Sequence, residues 1–86
     1  MKLYKFKWDL EYGELAGMFI ATENEVNEAI GKELYFGRAL GKYSEVYGTL
    51  ELKDIEEINL SDVAIEELLH TVGKTVCGYN PLEYVQ

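Results

Sequence analysis

The chain has 86 residues, of which 48% are hydrophobic and 28% charged, and it carries a formal net charge of −8. That length implies one domain, residues 1–86, burying roughly 60–65% of its unfolded surface, and the composition excludes a disordered chain. The excess of carboxylates disfavours sequence-independent binding to nucleic acid or to anionic membranes, and it favours basic partners.

Cys77 is the only cysteine, so no intramolecular disulfide forms and a reducing compartment is implied. No apolar run follows Lys2, Lys5 and Lys7. The longest apolar stretch, Leu15 to Ala21, is too short to span a bilayer, so a cytoplasmic protein without a leader is expected.

Residues 2–8, KLYKFKW, alternate with period two. Tyr4, Phe6 and Trp8 are expected on a core face, with the lysines in water, as in an edge strand protected against further pairing. Asp9 to Gly13 reads as a turn. Residues 14–21, ELAGMFIA, are apolar on both faces and read as an interior strand forming a hairpin with the first. Thr22 and Glu25 form a capping box, which starts a short helix carrying Val26, Ala29 and Ile30 on one face and ending at Gly31. A third strand is expected over Glu33–Gly37 and a fourth over Ser44–Leu52, with Val46, Gly48, Leu50 and Leu52 on one face. Residues 53–60 fit either a helical turn or a short strand. Ser61 caps a second helix, in which Ile65, Leu68, Leu69 and Val72 recur at helical spacing up to Gly73. Lys74–Cys77 is a candidate last strand, with Cys77 as a small buried hydrophobe, and the apolar tail from Leu82 to Val85 should pack down.

This order, ββαββα with a candidate final strand, predicts an α+β fold. Its mostly antiparallel sheet has four to five strands, with two helices on one face.

The loop Gly37–Ser44 is longer than a hairpin needs. It lacks the spacing of a phosphate-binding loop: three residues, not four, separate Gly37 from Gly41-Lys42, Tyr43 intervenes before Ser44, and a strand follows. Arg38, Lys42, Tyr43 and Ser44 remain candidates for holding a small anionic or nucleotide ligand, with a homo-oligomer interface as one setting. Between Glu51 and Glu67 lie Glu51, Asp54, Glu56, Glu57, Asp62, Glu66 and Glu67, offset only by Lys53 and, at that end, no other cation. With Tyr47, the residues Glu51, Asp54, Glu56, Glu57, Glu66 and Glu67 are the candidate surface for a basic protein partner, and a nucleic-acid mimic is one form of that idea. His70 and Cys77 alone do not make a metal site, and no cofactor motif is present. Lys42, Tyr43, Ser44, Glu45 and His70 suggest no reaction class. The expectation is a non-enzymatic inhibitor or adaptor, with a small-ligand binder as the alternative.

Overall fold

The structure, a computed structural model, describes residues 1–11, 13–40 and 45–86. Tyr12, within the expected turn, and Gly41, Lys42, Tyr43 and Ser44, within the suspected loop, lie outside the described residues. Two nine-residue strands, β1 (Lys2–Leu10) and β2 (Gly13–Ala21), pair antiparallel from Lys2 opposite Ala21 to Leu10 opposite Gly13. Then follow α1 (Glu23–Ala29), β3 (Glu33–Gly37), β4 (Val46–Thr49), a 3-10 turn (Leu52–Asp54), β5 (Ile55–Ile58), α2 (Asp62–Val72), β6 (Thr75–Gly78) and a second 3-10 turn (Pro81–Tyr84). The main sheet runs β5-β1-β2-β6 and is antiparallel throughout; β3 and β4 form a separate ribbon. The fold is α+β.

The hairpin is the centre of the sheet, so β1 is an interior strand and not the edge its lysines suggest. Edge positions fall to β5 and β6, four residues each. Lys5 lies opposite Glu56 of β5, so a lysine in β1 meets a carboxylate on the next strand.

Alternation sends Tyr4, Phe6 and Trp8 to one face of the sheet and Leu3, Lys5 and Lys7 to the other. On the first face the aromatic set joins Leu15, Phe19 and Ala21 of β2, Val26 and Ala29 of α1, Leu34 and Phe36 of β3, and Val46 and Leu50. Phe36 is the hub of the rings, with centroids 5.9 Å from Phe6, 5.3 Å from Trp8 and 4.5 Å from Tyr84. On the second face Leu3 and Ile20 are covered by Ile65 of α2, flanked by Met18, Ile58, Leu68, Leu69 and Val76.

The helices therefore occupy opposite faces, which corrects the expectation of two helices on one. The cause is in the hairpin. Leu3 and Ile20 are apolar on the face away from the aromatics, so that face needs its own cover, and α2 supplies it.

The tail packs as expected. Val85 bridges Leu34, and the Gln86 N–H donates to the Glu33 carbonyl at 3.0 Å, closing the outer edge of β3. Buried Asn80 is satisfied: Oδ1 accepts from the Leu82 N–H at 3.0 Å and Nδ2 donates to Thr75 Oγ1 at 3.2 Å. β6 crosses β2 at a pair of glycines. A Cβ on Gly17 would strike the Tyr79 backbone, and one on Gly78, whose φ is 63°, the Ala16 carbonyl.

Three local expectations change. β4 ends at Thr49, and Leu52, placed on the core face by alternation, sits 68% exposed on the 3-10 turn. Residues 52–58 are both things at once, a helical turn and then a strand. Cys77, on the edge strand β6, is exposed and not buried.

Candidate functional site

The site arises where β5 stops. Ile55 lies opposite Phe6, and preceding residues leave the sheet through the 3-10 turn toward the ribbon. Lys7 to Leu10 thus keep β2 on one side and, among the described residues, no strand on the other.

Backbone direction follows from the ladder. In β2 the Ile20 N–H donates to the Lys74 carbonyl at 2.7 Å, and the Ala16 carbonyl accepts from the Tyr79 N–H at 3.1 Å. Even-numbered residues of β2 therefore turn their backbone toward β6. By antiparallel alternation, the β1 residues opposite them turn theirs away from β2. These include Lys7, opposite Ala16, and Asp9, opposite Glu14. In the ribbon, Leu50 exchanges hydrogen bonds with the Gly31–Lys32 backbone at 2.7 and 2.9 Å, so Tyr47 and Thr49 turn their backbone away from β3.

The two edges border one cleft of about 510 Å³. Lys7 to Leu10 form one wall, Tyr47 to Thr49 the other, and Glu51, Lys53 and Asp54 the end. Trp8 ties the layers together at this cleft. Its Nε1–H donates to Asp54 Oδ2 at 2.8 Å, and the same oxygen accepts from the Glu51 N–H at 2.9 Å. The indole packs over Gly48, where a Cβ would meet the ring at ordinary contact distance, 3.5 Å. Asp54 is thereby committed to structure. The remaining charges pair at the surface: Lys7 with Asp9 and Glu14, both at 3.6 Å, and Lys53 with Glu51 at 3.4 Å. Such exposed pairs contribute little stability, but they leave the cleft rim nearly neutral within an acidic molecule.

The run of carboxylates divides among layers. Tyr47, Glu51 and Asp54 meet at the cleft, and Glu56 joins them through an adjoining hollow shared with Lys5, Lys7 and Lys53. Glu57 turns to the aromatic face, where Lys2 bridges it at 3.2 Å to Glu23 at 3.4 Å. The bonds to Glu57 and then Glu23 raise the pKa of Lys2. Glu66 and Glu67 lie on α2, over the other face, with Glu66 3.6 Å from His70. Tyr47 is 67% exposed and sits opposite Tyr35, whose hydroxyl bond to Glu45 raises its pKa. Arg38 is exposed; its companions Lys42, Tyr43 and Ser44 lie outside the described residues. Among the described residues no three His, Cys, Asp or Glu side chains are grouped to hold a metal ion, and no helix is long and apolar enough to cross a membrane.

Lys7, Trp8, Asp9 and Lys53 are the cleft residues that sequence reasoning did not single out. The signal for Trp8 is its place in the alternation, which marks burial and not what the ring borders. Comparison of the chain with protein-family models, with curated proteins and with solved structures finds no match.

Proposed function

We propose that the chain is a non-enzymatic binding protein, an inhibitor or adaptor, whose partner is a protein with a basic surface. The observation that carries this reading is the margin formed by Tyr47, Glu51 and Glu56. A well-exposed tyrosine stands beside two adjoining hollows, lined by Asp9, Glu51, Asp54 and Glu56 against Lys5, Lys7 and Lys53, at the point where two layers of the fold meet. Tyrosine supplies contact area at a low cost in side-chain entropy. The chain's net charge of −8 accelerates encounter with a cationic partner. Of the seven carboxylates in the run, Glu51 and Glu56 are the ones this reading assigns to contact, because they line the two adjoining hollows while Asp54, which lines both, is held by Trp8.

The test is affinity capture from lysate at low and high salt, followed by the same capture with Glu51→Lys/Glu56→Lys and with Tyr47→Ala. Capture of a basic protein should weaken with salt, fall about tenfold or more on charge reversal, and survive Lys42→Ala. Capture that ignores the charge reversal but is lost in Arg38→Ala or Lys42→Ala would overturn this reading in favour of an anionic ligand in the 37–44 loop.

A further inference from the structure

We infer that the outer face of the ribbon is an arginine-binding surface: the rings of Tyr35 and Tyr47, with the carboxylates of Glu33 and Glu45 beside them, receive a guanidinium of the basic partner. The inference rests on the reading above, that the partner is a basic protein, and names the side chain it presents.

The first support is where the aromatic rings go. Among the described residues every aromatic side chain is buried or half-buried except Tyr35 and Tyr47, which are 41% and 67% exposed. The two lie opposite each other across the ribbon. Leu50 exchanges hydrogen bonds with the Gly31–Lys32 backbone, so alternation makes Leu34 and Gly48 a hydrogen-bonded pair and Tyr35 and Tyr47 a non-hydrogen-bonded one. Side chains come closest in pairs of the second kind. The same alternation turns both tyrosines away from Leu34, Val46 and Leu50, which the core takes up. Two rings therefore lie side by side where they meet water.

The second support is charge. Thr49 Oγ1 donates to Glu33 at 2.7 Å, and the Tyr35 hydroxyl donates to Glu45. Both carboxylates thus stand at the face that carries the rings. Among the described residues neither is in an ion pair, whereas Glu14, Glu23, Glu51 and Glu57 each hold a lysine. One hydroxyl uses only part of what a carboxylate can accept. Arg38 acts on the Tyr35 hydroxyl through space and bonds neither carboxylate. Lys32 borders a different hollow, with Glu25 and Glu28 of α1.

The third support is what satisfies rings and carboxylates together. A cation over a tyrosine face is attracted by the ring quadrupole. A lysine ammonium is a compact, strongly hydrated charge. A guanidinium is planar and weakly hydrated, so it can lie flat on a ring while its edge donates to a carboxylate. Tyrosine beside carboxylate therefore selects arginine over lysine. A nucleotide base would also stack on the rings, but its phosphate would meet Glu33 and Glu45.

The probe is a set of seven-residue Gly-Ser peptides carrying two arginines at varied spacing, titrated into the full chain with isotope-labelled tyrosine. Matched peptides replace arginine with lysine, or with citrulline as the neutral isostere. At least one arginine peptide should bind and shift the Tyr35 and Tyr47 ring resonances together. Its lysine counterpart should bind about threefold more weakly or worse, and its citrulline counterpart about tenfold. Tyr47→Leu should erase the preference for arginine over lysine, and Tyr47→Phe should keep it. Glu33→Gln/Glu45→Gln should weaken arginine binding about threefold or more. Should a variant misfold, the three peptides against the unaltered chain carry the test alone. A lysine peptide of equal affinity means attraction by the acidic surface at large, and a citrulline peptide of equal affinity removes the charge. Either overturns arginine recognition, and the first leaves the basic-partner reading standing. Ring resonances that no peptide moves overturn it too. A chain that sediments as a dimer, and as a monomer with Tyr35→Ala/Tyr47→Ala, assigns the face to a second copy and overturns it as well. Capture from lysate that ignores Glu51→Lys/Glu56→Lys removes the parent reading, an outcome read in a separate experiment.

Discussion

The two faces of the main sheet are built differently, although the same two strands supply both. On the aromatic face, Phe6, Phe19, Leu34 and Leu50 are fully buried between the hairpin, α1, the ribbon and the tail. On the other face, α2 covers Leu3 and Ile20 with Ile65, and its remaining apolar residues Leu68 and Leu69 are only half-buried. One face is a core closed by four segments of chain, and the other is a single amphipathic helix laid on a strip. Local stability follows the density of buried contacts, so the two faces should answer differently to the same kind of insult.

The largest expected effect is truncation in the aromatic face. Phe6→Ala should destabilise by about 3–5 kcal/mol, because the cavity is walled by rings that cannot collapse without moving both layers. Ile65→Ala should cost about 2–3 kcal/mol, because Leu68, Leu69 and Met18 have solvent on one side and can close over the gap. Urea melts of the two variants measure the difference. Native-state amide exchange sharpens it: α2 should open at a free energy below that of global unfolding, and β2 only with it. Equal costs, or equal protection of α2 and β2, would break the comparison.

The sequence made the local elements legible and left their assembly open, for a physical reason. Period two places Tyr4, Phe6 and Trp8 on one face, but it does not say which strands share a sheet. Nothing in ELYFG or VYGT distinguishes a ribbon stacked over the sheet from two more strands within it. Leu3 and Ile20 carried the signal for a second covered face, but a single leucine between lysines is weak evidence. Alternation also ran past the end of β4 and placed Leu52 inside, because a pattern in sequence does not show where the ladder stops. The helices fared better, since Thr22, Glu25 and Ser61 form their caps within three residues. The site was half legible. Its carboxylates and Tyr47 stand out in composition, whereas the cleft depends on where β5 ends and on Trp8 meeting Asp54, 46 residues away.

That Trp8–Asp54 bond supplies the next test, between the layers and not within either. Trp8→Phe keeps most of the ring volume and removes the Nε1–H. The hydrogen bond is to a carboxylate but only part-buried, so its loss should cost about 1–2 kcal/mol. Asp54 retains the Glu51 N–H as a donor, which limits the damage to the 3-10 turn. Thermal melts give the cost. A drop as large as that of Phe6→Ala would mean that the cleft, and not the aromatic face, is the keystone of the fold.

The smallest expected effect separates the two helices by pH. α1 has seven residues and a complete capping box: the Glu25 N–H donates to Thr22 Oγ1 at 3.1 Å, and the Thr22 N–H donates to the Glu25 carboxylate at 3.0 Å. The Thr22 backbone bond, and then its hydroxyl, hold the Glu25 pKa below its ordinary value. A depressed carboxylate stabilises the fold above its unfolded pKa, and that contribution is lost as pH falls through the folded one. α2 is longer and has only the Ser61 hydroxyl accepting from the Ala64 N–H at 3.2 Å, a neutral cap. Acid should therefore loosen the cap of α1, on the well-built face, before that of α2, on the lightly built one. Glu25→Gln keeps a side chain able to accept the bond but not the charge. Its destabilisation relative to the parent should be below about 1 kcal/mol near neutrality; it should begin to fade as pH drops below the ordinary glutamate value of 4.5 and be gone once pH has fallen past the lowered folded value. Ser61→Ala should cost a similar amount, about 1 kcal/mol, with no such pH dependence through its cap. Paired urea melts of the two variants from pH 3 to 6 would show it, and a Glu25→Gln difference that stays constant across that range would remove the charge from the cap.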